Sequence, residues 1–288
     1  MTPIASILRD TVTACNGIGN GIETQSLAEY VLQTTFLKMT GAQEQKLKCI
    51  CWEMATNDFD YRYHYLKKDY GECSSYSDKN SIYRDLVEMI VKYDTTFSVA
   101  ELFCDVDISS KENVLIDKKI KEAKKAQERQ KGRKLTDAEL QSLINGIEAS
   151  WTTNGICEKD RAKYSRVVLF ESMQDLVEEI ICGTMVSQWE QHNYQNYIKN
   201  WKILANDQFA LDNALMDKDW QDFYTNVVYK HRNRCAHNLS SFQNNLPTLK
   251  TLVGEEYVYD NYYYRFSFLL LLDDIFMRLY KAYIKAIG

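Results

Sequence analysis

Proline occupies only positions 3 and 247 of this 288-residue chain. A sequence with so few helix breakers can run in long helices, and eleven glycines leave little punctuation for a protein of many short strands. Leucine, lysine, glutamate, glutamine and alanine, which suit helix interiors, are plentiful. We therefore expect an all-α fold, a helical bundle whose core is supplied by the 45% of residues that are hydrophobic.

Periodicity divides this bundle into three regions. An N-terminal helical region, 1–107, opens with a Gly/Asn-rich loop, NGIGNG at 16–21, whose glycines are neither preceded by a strand nor followed by Lys-Ser or Lys-Thr, so it is no phosphate cradle. Two helices are expected next, over 26–39 and 42–57. After the turn GECSSYSDKN comes an amphipathic helix with Ile82, Leu86, Met89, Ile90 and Tyr93 at helical spacing, then a short helix over 99–104. A basic excursion and its connecting helix fill 108–154, with Ser110 as the expected N-cap, Gly132 as the stop, and Thr136 to Glu139 at capping-box spacing. The C-terminal region, 155–288, carries long patterns over 159–181, 215–236 and 256–286.

No stretch approaches the apolar length of a membrane span, and the N-terminus lacks a basic start with an apolar core, which points to a cytoplasmic protein without a membrane partner. The eight scattered cysteines read as reduced thiols, and Cys49-Ile-Cys51 has no second pair at metal-ligand spacing. Neither a metal nor a cofactor is expected. Charge is segregated: residues 111–134 hold ten Lys or Arg against four Asp or Glu, a net of +6, which leaves −11 for the rest of a chain whose total is −5. With few large apolar residues, this segment should project. Its cations Lys118, Lys119, Lys121, Lys124, Lys125, Arg129, Lys131, Arg133 and Lys134 are candidates for contacting RNA phosphates without reading bases; the alternative is a solvated charged helix.

The segment most suited to chemistry is HRNRCAH, 231–237, with two arginines and two histidines in seven residues. It ends a helix whose expected buried face comprises Trp220, Phe223, Tyr224, Val227, Val228, His231 and Cys235. At about 100° per residue, Asn233 and His237 share the opposite polar arc, with Arg232 at the border between faces. His231 falls on the buried side as a core histidine, and Arg234 near the core edge as a structural residue. Asn238 suits the left-handed end of a helix, which places His237 in the last turn, where the helix dipole favours its imidazolium. A histidine titrating near neutral pH beside a permanently charged arginine suits phosphodiester chemistry: one moves protons, the other stabilises negative charge.

Arg232-Asn233-Arg234-Cys235-Ala236-His237 resembles the R-x(4 to 6)-H signature of the HEPN superfamily, down to the polar residue directly after its arginine. The resemblance covers roughly 155–288 and implies a small HEPN-like helical domain in which another long helix follows the motif helix. It further implies a metal-independent endoribonuclease. His237 would act as general acid or base around the ribose 2′-OH and leaving oxygen, Arg232 would bind the scissile phosphate, and Asn233 would orient phosphate or histidine. The products would be 2′,3′-cyclic phosphate and 5′-OH ends. Because the chain has one such motif, the resemblance implies a homodimer with a composite cleft. The family's frequent setting is prokaryotic defence or toxin action, restrained by an antitoxin, a guide RNA or another defence component. The rival reading is a non-catalytic HEPN-like module that binds a protein, RNA or nucleotide with the same polar face.

Two further features carry expectations. In FSFLLLLDDIFMRLYKAYIKAI, Phe266, Leu269, Leu270, Phe276, Met277, Tyr280 and Ile284 form an apolar stripe on which Asp273 falls, and Arg234 or Arg232 is its expected partner. The aromatic run YVYDNYYYRF, 257–266, is expected to fill core or interface rather than to stack on bases.

Overall fold

The computed structural model describes residues 3–18, 24–67, 73–155, 158–182, 184, 214–237 and 261–288. All regular structure among them is helical, as the scarcity of proline requires, and no described helix is long and apolar enough to cross a membrane. The helices are α1 (Ala5–Ala14), α2 (Gln25–Asn57), α3 (Phe59–Tyr65), α4 (Tyr76–Tyr93), a 3-10 turn (Val99–Phe103), α5 (Ser109–Lys131), α6 (Asp137–Asn154) and α7 (Glu158–Ile181). Beyond them come α8 (Lys218–Phe223), a π-helical segment (Tyr224–Tyr229), α9 (Lys230–His237) and α10 (Tyr262–Ile287).

Two compact units result, one of residues 1–98 with 169–288, the other of 99–168. The expected boundaries differ from these, because the N-terminal helices do not stand apart from the C-terminal ones. Within the first unit α10 packs on both α2 and α4, and α2 also packs on α9.

Helix α2 is a single rod of 33 residues rather than two helices divided at Gly41. Its buried positions Leu32, Phe36, Met39, Gln43, Leu47, Ile50 and Met54 recur at steps of three and four straight through the glycine. Burial of that stripe outweighs the roughly 1 kcal/mol a helical glycine costs.

In α10 the expected stripe proves too narrow. Every residue from Tyr262 to Asp273 is buried, including Phe268, Leu271 and Leu272, since α2, α4 and the π-helical segment cover this helix on several sides. The helix starts at Tyr262 with Asn261 as N-cap, its side chain accepting from the Tyr264 amide at 3.1 Å; residues 256–260 of the expected helix lie outside the described residues. Tyr262, Tyr263 and Tyr264 are core residues, while 257–260 of the aromatic run are not described. Phe268 joins Trp220, Phe223 and Phe170 in an aromatic cluster, with ring centroids 5.6 Å, 5.1 Å and 6.2 Å from its own.

Asp273 is buried, as its position on the stripe implied, but its partner is Lys46 of α2, whose Nζ donates to both carboxylate oxygens at 2.6 and 2.8 Å. It also accepts from the Ile4 amide at the start of α1, 3.2 Å away. Neither Arg234 nor Arg232 takes that role. Tyr93, expected on the buried face of α4, is 41% exposed and donates its hydroxyl to Asp58 at 3.0 Å.

In the second unit α5 and α6 form a hairpin. Gly132 ends α5 in the left-handed conformation, φ 63°, and Thr136 and Glu139 form the expected capping box of α6. The N-cap of α5 is not Ser110: the helix begins two residues earlier than expected, at Ser109, with Ile108 at the N-cap position, and Asp107 accepts the Ser109 amide at 2.9 Å. Leu115 is the one buried residue of α5, so the helix is largely solvated, as its composition predicted.

Candidate functional site

The motif helix is held in place by polar contacts at its start. Asp217 caps α8 by accepting the Trp220 amide at 3.1 Å. Just before it, the Leu215 amide donates to Asn80 at 2.7 Å, and the Tyr76 hydroxyl both donates to the Met216 carbonyl and accepts its amide at 3.1 Å. Tyr224 extends this contact by donating to the Ser74 carbonyl at 2.6 Å.

Between α8 and α9 the hydrogen bonding widens to π geometry over Tyr224–Tyr229. Such a segment frees backbone carbonyls, and here the buried Arg265 of α10 donates its Nε–H to the Val227 carbonyl at 3.1 Å. Trp220, Tyr224, Val228, His231 and Cys235 are buried as the periodicity predicted, whereas Phe223 and Val227 are half-buried.

His231 is a core histidine. Arg234 donates to its Nδ1 at 2.7 Å, so the ring proton resides on Nε2, which donates to the Tyr262 hydroxyl at 3.1 Å. Burial, reinforced by the Arg265 and Arg234 charges, pushes its pKa far below the usual histidine range. It is therefore a neutral structural ring, and Arg234 is its support.

Arg232 and Asn233 are half-buried at the border of the helix and touch each other: the Arg232 guanidinium donates to Asn233 Oδ1 at 3.3 Å. The other terminal nitrogen of Arg232 donates to Glu44 of α2, also at 3.3 Å, with side-chain exposures of 24% and 12%. The polar arc thus faces α2 within the same chain at its Arg232 edge, rather than solvent or a partner alone. Two of the five guanidinium N–H groups are spent on these contacts. His237 is the last residue of α9, and its side chain lies outside the described residues.

Behind Glu44 is a second cation, Lys79. Its side chain is wholly buried, its Nζ donates to the Cys73 carbonyl at 2.8 Å and it sits 5.7 Å from the Tyr224 ring centroid. Burial lowers its pKa to about 8, against the attraction of Glu44. Two carboxylates, Glu44 and Asp78, and the Arg232 guanidinium are the charges that act on the Lys79 ammonium. Burial also holds the Tyr224 phenol well above its ordinary pKa, so it remains a neutral donor.

Neither Glu44 nor Lys79 was singled out by sequence. A signal existed for Lys79, which shares a face with Ile82, Tyr83 and Leu86 at steps of three and four, a lysine on an apolar stripe. Glu44 gave none, because a carboxylate beside a helix stripe ordinarily faces water.

The candidate RNA-contacting cations all belong to the second unit, on α5 and its turn into α6. They divide into two sets. Glu139 binds Lys131 at 2.7 Å and Arg133 through both guanidinium nitrogens at 2.9 Å, an arrangement that draws its carboxyl well below the usual range. Lys118 lies 3.7 Å from Glu122, and the Lys119 ammonium sits 4.7 Å from the Trp151 ring centroid. Lys121, Lys124, Lys125, Arg129 and Lys134 make no ion pair among the described residues.

No group of His, Cys, Asp and Glu suited to a metal ion exists among the described residues. Cys51 is buried and Cys49 exposed, so the Cys49-Ile-Cys51 pair does not present both thiols to one site. Comparison with known proteins yields no match: no family model, no curated protein and no solved structure.

Proposed function

We propose that the protein is a metal-independent endoribonuclease that cleaves single-stranded RNA at a composite Arg/His site formed by two copies of the chain. The observation that carries this reading is the setting of Arg232: a partly exposed guanidinium in the first turn of α9, held by Glu44 and touching Asn233, with three of its five N–H groups unused among the described residues. Burial and the bond from Arg234 take His231 out of acid–base work, which supports the reading of His237 as the proton carrier of the motif.

In this reading Arg232 binds the scissile phosphate and its developing charge, Asn233 orients phosphate or histidine, and His237 moves the proton. The RNA's own 2′-oxygen attacks the adjacent phosphorus, the bond from phosphorus to the 5′-oxygen breaks, and that oxygen takes up a proton. A 2′,3′-cyclic phosphate and a 5′-OH result. Arg232 and His237 are five residues apart, about 140° around a helix, which one helix does not aim readily at one phosphate. Two motif helices across a two-fold axis do so. The setting we propose is cytoplasmic, in a prokaryotic defence or toxin–antitoxin system, with an antitoxin, guide RNA or other defence component restraining the enzyme.

The second reading, a non-catalytic HEPN-like binding module, draws on the same contact, since an arginine paired to Glu44 also serves to fix a binding face. Labelled single-stranded RNA incubated with wild type, Arg232→Ala and His237→Ala separates the two. The nuclease reading expects cleavage by wild type and at least a hundredfold loss in each variant, with dimerisation intact by light scattering. Equal activity in all three would overturn it, and specific RNA or protein binding without cleavage by any of them would favour the module.

A further inference from the structure

The hairpin of α5 and α6 carries a second feature that the site on α9 does not use. Of its nine candidate cations, the structure neutralises or occupies Lys118, Lys119, Lys131 and Arg133. Of the five left, Lys121, Lys125, Arg129 and Lys134 are exposed and Lys124 is half-buried. At about 100° per residue, Lys121, Lys125 and Arg129 fall within about 80° of one another, with Lys124 flanking them. They face away from Ile116, Ile120, Ala123 and Gln127, the half-buried side of the helix. Two carboxylates border this face: Glu122 is paired with Lys118 at 3.7 Å, and Glu128 accepts the Leu135 amide at 3.3 Å.

We propose that the outer face of α5 from Lys121 to Arg129 is an RNA-backbone track that holds the substrate through its phosphates. This rests on RNA being the substrate. The track is about 12 Å long at 1.5 Å per residue, with a cation every four residues along its main line, which matches a linear polyanion. Apart from alanine it carries no apolar residue, so it lacks the buried anchors of a membrane-surface helix. It also lacks aromatic rings for base stacking, so it is expected to bind without sequence preference.

The test measures binding of labelled oligouridine by anisotropy across a salt series, in a His237→Ala background so that the probe survives. Replacing Lys121, Lys124, Lys125 and Arg129 together by Gln should weaken binding about tenfold or more and reduce the slope of log K against log salt by about 3, at roughly 0.7 for each single-strand phosphate no longer neutralised. Replacing Lys131 and Arg133 by Gln should leave the slope unchanged, because Glu139 already holds both. Circular dichroism confirms that each variant is folded. An unchanged slope in the fourfold variant, or an equal weakening in the control pair, overturns the track. So does binding to anionic phospholipid vesicles with no RNA binding at low salt. Cleavage failure in the wild type would count against the nuclease alone, since the salt slope is read without turnover.

Discussion

Lys79 supplies the sharpest energetic prediction. Its ammonium is buried and donates to the Cys73 carbonyl, and its pKa falls from 10.5 in the unfolded chain to about 8 in the fold. Between these values the unfolded chain binds the extra proton, so stability from this group is fully present above pH 10.5 and is lost as pH falls to 8. At about 1.4 kcal/mol per pH unit, keeping Lys79 charged at neutral pH costs the folded state about 3 kcal/mol, the attraction of Glu44 included. Lys79→Met removes that cost and forfeits a hydrogen bond worth about 1 kcal/mol. The variant should therefore be more stable than wild type by about 2 kcal/mol near pH 7.5, with the gap closing toward zero by about pH 9.5. Urea denaturation of both proteins at the two pH values measures it. A variant less stable than wild type, by an amount that does not change with pH, would refute the reasoning.

Two other substitutions follow from the packing. Asp273→Ala leaves the Lys46 ammonium nearly buried without its carboxylate and strips the Ile4 amide of its acceptor, so stability should drop by about 3 kcal/mol in urea denaturation; a drop under about 1 kcal/mol would show that α1 and α2 do not depend on this pair. Thr136→Ala removes the capping box of α6 and should cost the hairpin about 1 kcal/mol, seen as faster amide exchange in the first turn of α6 with no change in the first unit.

The all-α class was legible because it rests on propensity and on the near absence of proline, both local properties. So was the burial of His231, since a side chain at steps of three and four from Val228 and Cys235 has nowhere else to go. Partner identity was not. Asp273 could be read as buried, but Lys46, 227 residues away in sequence, is chosen by how α2 crosses α10. The packing of α2 on α9 brings Glu44 to Arg232 over a separation of 188 residues, and no periodicity in either segment encodes that meeting. Continuity of α2 through Gly41 was missed for a related reason: the intrinsic cost of glycine is visible in sequence, whereas the burial on α10 that outweighs it is tertiary. Over α5 and its turn into α6 the sequence offered nine candidate cations, and only the fold of the hairpin shows that Glu139 has already claimed two.

The most direct measurement of the central claim is the chemistry of the RNA ends. Single-stranded RNA is incubated with wild-type and His237→Ala protein in excess EDTA, and the products are mass-analysed with and without treatment by an enzyme that opens cyclic phosphates. A nuclease working through Arg232 and His237 leaves 2′,3′-cyclic phosphate and 5′-OH ends in wild type and no product in the variant. Ends bearing 3′-OH and 5′-phosphate, or cleavage that survives His237→Ala, would contradict it.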